Sequence, residues 1–451
     1  MVLAVRLVWA GCLVMAPVSI GGCADDSEGM EVSGESDTDF AGTQTGSSVD
    51  DGAADEGSDS GLPPGTSDGD EPGACVDSDG DGFAAAACGG TDCDDASFWI
   101  HPDAADGGWG VTSLIEGDGA DAGVALTRTA DGRLFTLVTG AQPDVVDLRV
   151  VDGIKWTSYS VSADAPRDPS IFTGPDDRVY AAFVSNDTIF YAVFENDRWD
   201  FAAAPTTGPV VGTTITWNEI LSTGDYPGAG TVYYGVPDVG LGSAGNHGGT
   251  WAAGVIDQWY TRGVNPDAYW WHGGSAQQRV ISHGEDGQLL EAYYAGFGGQ
   301  GDTVAEDAGE YSAIAGTGPS QYWIAYADLA GSVQVRRGSF AAFNPVMGPD
   351  GAPTAAGPLD LYVAPEGGGP LHAAFGGPTL RYGAQLGSPE SELVAFDVQE
   401  VDASPVTDLA LTAAPGETRI VDILYTTNGD VRLASHRPAD GVDNDCDGVS
   451  Q

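Results

Sequence analysis

Short apolar segments recur along residues 107–436, divided by turns rich in Gly, Pro, Asp and Asn. One segment type returns seven times, beginning at Leu134, Val179, Val232, Leu289, Tyr322, Leu371 and Ile420. Its members include Val179-Tyr-Ala-Ala-Phe and Leu371-His-Ala-Ala-Phe. The mean period is roughly 48 residues, with uneven individual spacings of about 33 to about 57. Most copies follow a turn and precede a second short strand. Thr173-Gly-Pro-Asp-Asp-Arg leads into Val179, Ala130-Asp-Gly-Arg into Leu134, and Glu285-Asp-Gly-Gln into Leu289. Asp-Gly between apolar runs favours hairpins, because these residues accept positive φ. A small residue at the fourth place of several copies fits a crowded inner strand. A period in the forties with several strands per unit predicts an all-β propeller of about seven blades, with six or eight as variants. A pair of β-sandwiches is the alternative, and β-helix repeats are shorter.

The segments before the repeats have a different texture. Arg6 precedes an apolar run from Leu7 to Ile20, about 14 residues, which fits an export signal and is too short to span a bilayer. The run ends in Ile20-Gly21-Gly22-Cys23, which resembles the bacterial lipobox. That resemblance implies cleavage before Cys23 and lipidation of its thiol; an ordinary cleavage site beside a chance cysteine is the alternative. Ala24 follows the cysteine, so the Asp that retains lipoproteins at the inner membrane of enteric bacteria is absent at that position. The expected location is the outer membrane, lipid-anchored and displayed at the cell surface. Residues 24–74 are Asp, Glu, Ser, Gly, Thr and Pro with almost no large apolar side chain. They cannot bury enough surface to offset their ordering entropy, and like charges extend them. The predicted order is a signal at 1–22, a disordered acidic tether at 23–74, an acidic motif at 75–106, the propeller at 107–436 and a second acidic motif at 437–451.

Charge narrows the partners. The 451 residues hold 67 acidic and 16 basic side chains, a net charge of -51, and Lys155 is the sole lysine. Such a surface repels phosphate backbones, which excludes nucleic acid as a partner. An apolar share of 42% is ample for a core, and 67 glycines favour a turn-rich β protein.

The sharpest chemical signal brackets the repeats. Asp77-Ser-Asp79-Gly-Asp81-Gly82-Phe83 places carboxylates at alternate positions of a tight loop, where they converge on one hard cation. Gly82 permits the turn, and the Phe83 carbonyl would add an oxygen. In an EF-hand the twelfth position is Glu; here it is Cys88, so the missing carboxylates must come from elsewhere, with Asp92, Asp94 and Asp95 nearest. A second acidic loop, Asp443-Asn-Asp445-Cys-Asp447-Gly448, is equally incomplete. Two partial loops at opposite ends of one domain suggest mutual completion.

The stretch from Cys75 through Cys93-Asp94-Asp95 to Ile100-His-Pro-Asp-Ala, together with Asp440-Gly-Val-Asp-Asn-Asp-Cys446-Asp-Gly, resembles the MopE-type metal-binding motif of exported bacterial proteins, many of them myxobacterial. That family keeps the two parts adjoining, and here roughly 330 residues separate them. It also carries a cysteine where this chain has Ala439, so its disulfide pairing does not transfer. The family name derives from a copper-associated protein, but oxygen-only aspartate ligands favour calcium. Cys75, Cys88, Cys93 and Cys446 all lie inside the split motif. Export permits two disulfides in any of three connectivities, and the expected pairs are Cys75–Cys88 and Cys93–Cys446. A cysteine-based metal site is the alternative, although no Cys-x-x-Cys spacing occurs.

Signals for catalysis are sparse. The six histidines form no H-E-x-x-H, and no G-x-S-x-G occurs. Arg128, Arg178 and Arg279 are scattered and read as surface residues. Ala244-Gly-Asn246-His-Gly248-Gly-Thr250-Trp251 resembles a degenerate Asp-box, a structural hairpin of sialidase-type propellers. The aromatic-rich stretch from Asp257 to His272 fits either blade packing or a sugar-stacking cleft. The expected function is a non-enzymatic, calcium-stabilised lipoprotein that binds a glycan or protein partner. The alternative is a carbohydrate-active hydrolase or lyase. A polar central funnel holding a carboxylate pair or an arginine cluster would favour the enzyme, and a funnel without such a constellation the binding module.

Overall fold

Short strands and tight turns assemble into seven four-stranded antiparallel sheets. The structure is a computed structural model. It describes residues 86, 91, 93 and 108–437, except 118–121, 153–154, 176, 219–228, 237–239, 248–249, 256–263, 272–276, 285–286, 296–297, 319–320, 339–340, 364–368, 388–393 and 415–419. Blades 1 to 6 take four consecutive strands each, within 123–162, 167–204, 211–255, 264–305, 308–345 and 359–402. Blade 7 combines three strands within 408–436 with the first strand of the domain, Trp109–Ile115, as its outer edge. The seven innermost strands pack side by side in a closed ring, the last beside the first. The fold is therefore an all-β, seven-bladed propeller.

Burial explains the alternation of strand types. A second strand has a blade on either side and hydrogen bonds on both edges, so it is buried on both faces and most of its side chains are apolar. Val179–Ser185 and Val421–Thr427 are buried at every position. The outer strand Arg198–Ala204 returns to an alternating pattern, with Trp199 buried and Arg198 and Asp200 exposed. Tight turns join these strands. Asn186 and Asp187 have φ of 50° and 62°, Asn196 and Asp197 54° and 57°, and Asn428 and Gly429 49° and 94°. Two successive positive φ values match the right-handed twist of the strands they connect.

The recurring segments are second strands, not inner ones, in six blades. In blade 4 the Leu289 segment is the third strand, and the second is Gln277–His283. With that correction the second strands start at 134, 179, 229, 277, 321, 372 and 421, so neighbouring starts lie 44 to 51 residues apart. The Asp-box-like stretch forms the hairpin between the third and outer strands of blade 3, pairing Asn246 with Trp251 and His247 with Thr250.

Each of seven hydrophobic clusters lies between two adjacent blades. Phe135, Phe183 and Trp199 fill the gap between blades 1 and 2. Ile281, Tyr322 and Ile324 fill that between blades 4 and 5. Leu134, Leu424 and Leu433 join blade 7 to blade 1. Burial of one such side chain contributes about 1.5–3 kcal/mol. Because strands alternate in direction, all inner strands start on one face of the ring, here termed the mouth face. The third strand of blade 7 ends, and Trp109–Ile115 begins, on the opposite face.

Candidate functional site

The mouth face gathers acids at the starts of inner strands. Asp408 Oδ1 accepts from its neighbour Leu409 N at 3.0 Å, and Oδ2 from Val124 N of blade 1 at 2.9 Å. Asp360 repeats the arrangement, with Leu361 N and Leu411 N of blade 7 both at 2.7 Å. Asp267 does so with Ala268 N and Ile314 N of blade 5, both at 2.8 Å. In blade 2 a serine stands in, Ser170 Oγ accepting from Ile215 N of blade 3 at 3.0 Å. Every clamp points from one blade to the next in the same direction around the ring. Tyr311, in blade 5, precedes Ile314 by the spacing that separates Asp408 from Leu411, and its side chain is exposed.

These carboxyls are half-buried and gain no cation among the described residues. Desolvation pushes Asp267 up to about 6, against hydrogen bonds from Ile314, Ala268 and Thr214. It pushes Asp360 up to about 8, reinforced by the charges of Asp267 and Asp408. It pushes Asp408 up to about 7, with Asp168 adding to the shift against the Val124 and Leu409 amides. Both oxygens of each group are committed to backbone amides.

A second polar cluster lies between blades 4 and 5. Glu291 Oε1 accepts from Arg279 Nη1, and its Oε2 lies 3.4 Å from Arg336 Nη2 of blade 5. The Arg279 guanidinium sits 4.1 Å over the Tyr322 ring, and that of Arg336 sits 4.6 Å over Phe343. Tyr269 stacks on Tyr322 at 5.9 Å and donates to the Gly318 carbonyl at 3.1 Å. A Cβ on Gly316 would meet the Tyr269 ring at 2.4 Å, so only glycine admits this stack. The side chains of Arg279 and Glu291 are 12% and 5% exposed. Beside them, His283 Nε2 lies 2.8 Å from Ser312 Oγ across the same interface, and burial lowers the imidazole's pKa.

The third arrangement is the seam that closes the ring. Asp422, wholly buried, accepts from Arg128 of blade 1, from Arg437 Nη2 at 2.8 Å and from Ser435 Oγ at 2.8 Å. The two guanidiniums hold its carboxyl down at about 2 despite the burial. On the outer edge Trp109 pairs with His436, and Arg437 N donates to Gly108 O at 3.2 Å. Gly108, just after the N-terminal acidic motif, and Arg437, the first residue of the C-terminal one, are thus hydrogen-bonded neighbours.

No family model matches the sequence, and no curated protein matches it. Among solved structures, the chain is similar to the BP39L lectin from Burkholderia pseudomallei, at 14% identity over 70% of this chain and 98% of that one, TM-score 0.49. It is also similar to the Aleuria aurantia lectin in complex with Fucα1-6GlcNAc, at 11% identity over 63% and 97%, TM-score 0.44. A third neighbour is the α-L-arabinofuranosidase Arb93A from Fusarium graminearum, at 13% identity over 70% and 92%, TM-score 0.38. The propeller assignment rests on the seven sheets and their closed ring.

Most predicted site residues lie outside the described ones: Cys23, Cys75, Asp77, Asp79, Asp81, Phe83, Cys88, Asp92, Asp94, Asp95, Asp443, Asp445, Cys446 and Asp447. Cys93 is described and is disulfide-bonded. Arg128 and Arg279 are not surface residues, since carboxylates bury them at blade interfaces; Arg178 is half-exposed and pairs with Glu195. Of the aromatic stretch, Tyr269 belongs to blade packing. Sequence reading missed the mouth aspartates. A faint signal exists, because Asp267, Asp360 and Asp408 each precede an apolar residue and lie about two periods and about one period apart.

Proposed function

We propose that this chain is a non-enzymatic, lipid-anchored surface protein whose propeller binds a glycan and whose ring is locked by calcium at the seam. The observation that carries the calcium reading is the hydrogen bond between Gly108 and Arg437. It joins the attachment points of the two partial acidic loops, each of which lacks the carboxylates the other could supply. Asp77, Asp79, Asp81, Asp443, Asp445 and Asp447 would share the ion, with Asp92, Asp94 and Asp95 as further oxygen donors. A bond from Cys93 to Cys446 would fasten the same seam covalently.

Support for glycan binding comes from the aromatic-rich sequence between Asp257 and His272, whose ring faces can stack on a sugar. The Arg279–Glu291–Arg336 cluster is buried and serves the joint between blades 4 and 5. The hydrolase or lyase alternative needs carboxyls free to move protons. The mouth carboxyls are instead tied through both oxygens, and Arg279 and Arg336 lie between blades, not in the funnel.

Isothermal titration tests both parts. Calcium added to the chelator-treated protein should bind stoichiometrically, and Asp79→Asn with Asp445→Asn should each abolish the heat. Binding that survives either substitution would refute sharing. Methyl fucoside and methyl arabinofuranoside are suitable first glycans, with retention on a glycan array as the broader screen. Trp271→Ala, within that aromatic stretch, should lower retention at least tenfold without hydrolysis of any glycoside. Unchanged retention would move the site elsewhere, and release of free sugar would establish the enzyme.

A further inference from the structure

We infer that the strand closing the ring is a direction-dependent clasp, strong against a pull between Gly108 and the mouth face and weak when the two ends of the propeller are drawn apart. Trp109–Ile115 pairs antiparallel with Asp430–His436, from Trp109 opposite His436 to Ile115 opposite Val431. Both ends of the pair are pinned. Arg437 N donates to Gly108 O at 3.2 Å on the face opposite the mouth, and Gly117 N donates to Asp430 Oδ1 at 3.1 Å on the mouth side. The strand's side chains reach into two interfaces. Trp109 and Val111 pack against the cluster between blades 6 and 7, and Leu114 and Ile115 against that between blades 7 and 1. The Trp109 ring meets Tyr382 of blade 6 edge-on at 5.1 Å, and Leu114 O accepts from Arg149 Nη1 of blade 1 at 3.1 Å. One edge strand is thus fastened to blades 1, 6 and 7.

The direction of load decides how these fastenings fail. Ladder hydrogen bonds stand perpendicular to the strands they join. A load between the segment before Gly108 and the mouth face runs largely along Trp109–Ile115. Every rung and both packed faces are then sheared together and must give way at once. A load between Gly108 and Arg437 falls first on their own hydrogen bond and on the Trp109–His436 rung. Once those part, the next rung takes the whole load, and the strand peels one bond at a time. Forced unfolding is governed by the barrier to rupture and not by equilibrium stability. The same contacts therefore resist far more in the first direction than in the second.

Connectivity makes this pair the place where the ring parts. Blades 1 to 6 are each built from four consecutive strands, so a short stretch of chain holds every neighbour in place. In blade 7 the edge strand comes from the other end of the propeller, and Gly117 and Asp430 stand 313 positions apart. Only non-covalent contacts among the described residues join that strand to Asp430–His436. The use of the clasp rests on the lipid-anchor reading, because a tether ending at Cys23 delivers its pull to the segment before Gly108. With a partner held at the mouth face, the closing strand then works in its strong direction.

The test is single-molecule force spectroscopy of the full chain, in chelator and reductant so that neither a metal ion nor a disulfide carries load. One handle is attached at the N-terminus. The other is at the C-terminus in the first arm. In the second arm it is on an azide-bearing residue in place of the exposed Ala403, on the mouth face between blades 6 and 7. The first rupture should need at least twofold more force in the second arm. Equal forces, or a lower force toward the mouth, would overturn the clasp. If the substituted chain does not fold, the unsubstituted chain with terminal handles decides. Its first step should free residues 109–122 alone, roughly 50 Å of extended chain, before the ring opens. A ring that opens without that step would overturn the clasp equally. Lipidation of Cys23 is read separately, from the mass of the N-terminal peptide. Its absence would remove the membrane tether as the source of load and leave both forces unchanged.

Discussion

At the residue scale, several of the chain's few cations sit at joints between blades. Arg128 and Arg437 meet on Asp422 at the closing seam, Arg279 and Arg336 meet on Glu291, and Arg432 reaches Asp402 of the preceding blade at 3.2 Å. An exposed ion pair contributes little, but a buried carboxylate stripped from two guanidiniums leaves uncompensated charge. Asp422→Ala should therefore cost about 3–5 kcal/mol of unfolding free energy, read from urea denaturation at neutral pH. Asp422 is held at about 2, so its stabilisation is complete above the ordinary carboxylate range and disappears only as pH falls through about 2. None of these pairings was legible in the sequence. Arg128 and Asp422 stand 294 positions apart, and no local pattern links them.

At the scale of the element, legibility depended on whether a strand is buried by apolar or by polar side chains. The second strands of six blades announced themselves through runs such as Val-Tyr-Ala-Ala-Phe. The second strand of blade 4, Gln277–His283, did not, because it buries Gln278, Ser282 and His283. Gln278 is satisfied by Tyr233 of blade 3 and His283 by Ser312 of blade 5, contacts that only the assembled ring supplies. Inner strands were hidden for a similar reason, since the backbone amides that their aspartates accept from belong to the next blade. The apolar second strands should dominate stability. Phe183 is fully buried and stacks on Phe190 at 5.5 Å, within the cluster that joins blades 1 and 2. Phe183→Ala should lower the unfolding free energy by about 3–5 kcal/mol, and equilibrium denaturation that finds a loss below about 1 kcal/mol would contradict this packing role.

At the scale of the whole molecule, the ring is closed by its own first strand. That closure places Gly108 and Arg437 together on the face opposite the mouth, so the chain enters and leaves the described propeller at neighbouring points. A calcium ion shared by those loops would hold Trp109–Ile115 in register with Asp430–His436, and ion binding would appear as protection of that pair. The most direct measurement is hydrogen exchange of the amides in Trp109–Ile115, with calcium present and after chelation. Exchange there should accelerate by at least tenfold on chelation while Val179–Ser185 is unchanged. Identical protection of Trp109–Ile115 in both conditions would contradict the calcium lock.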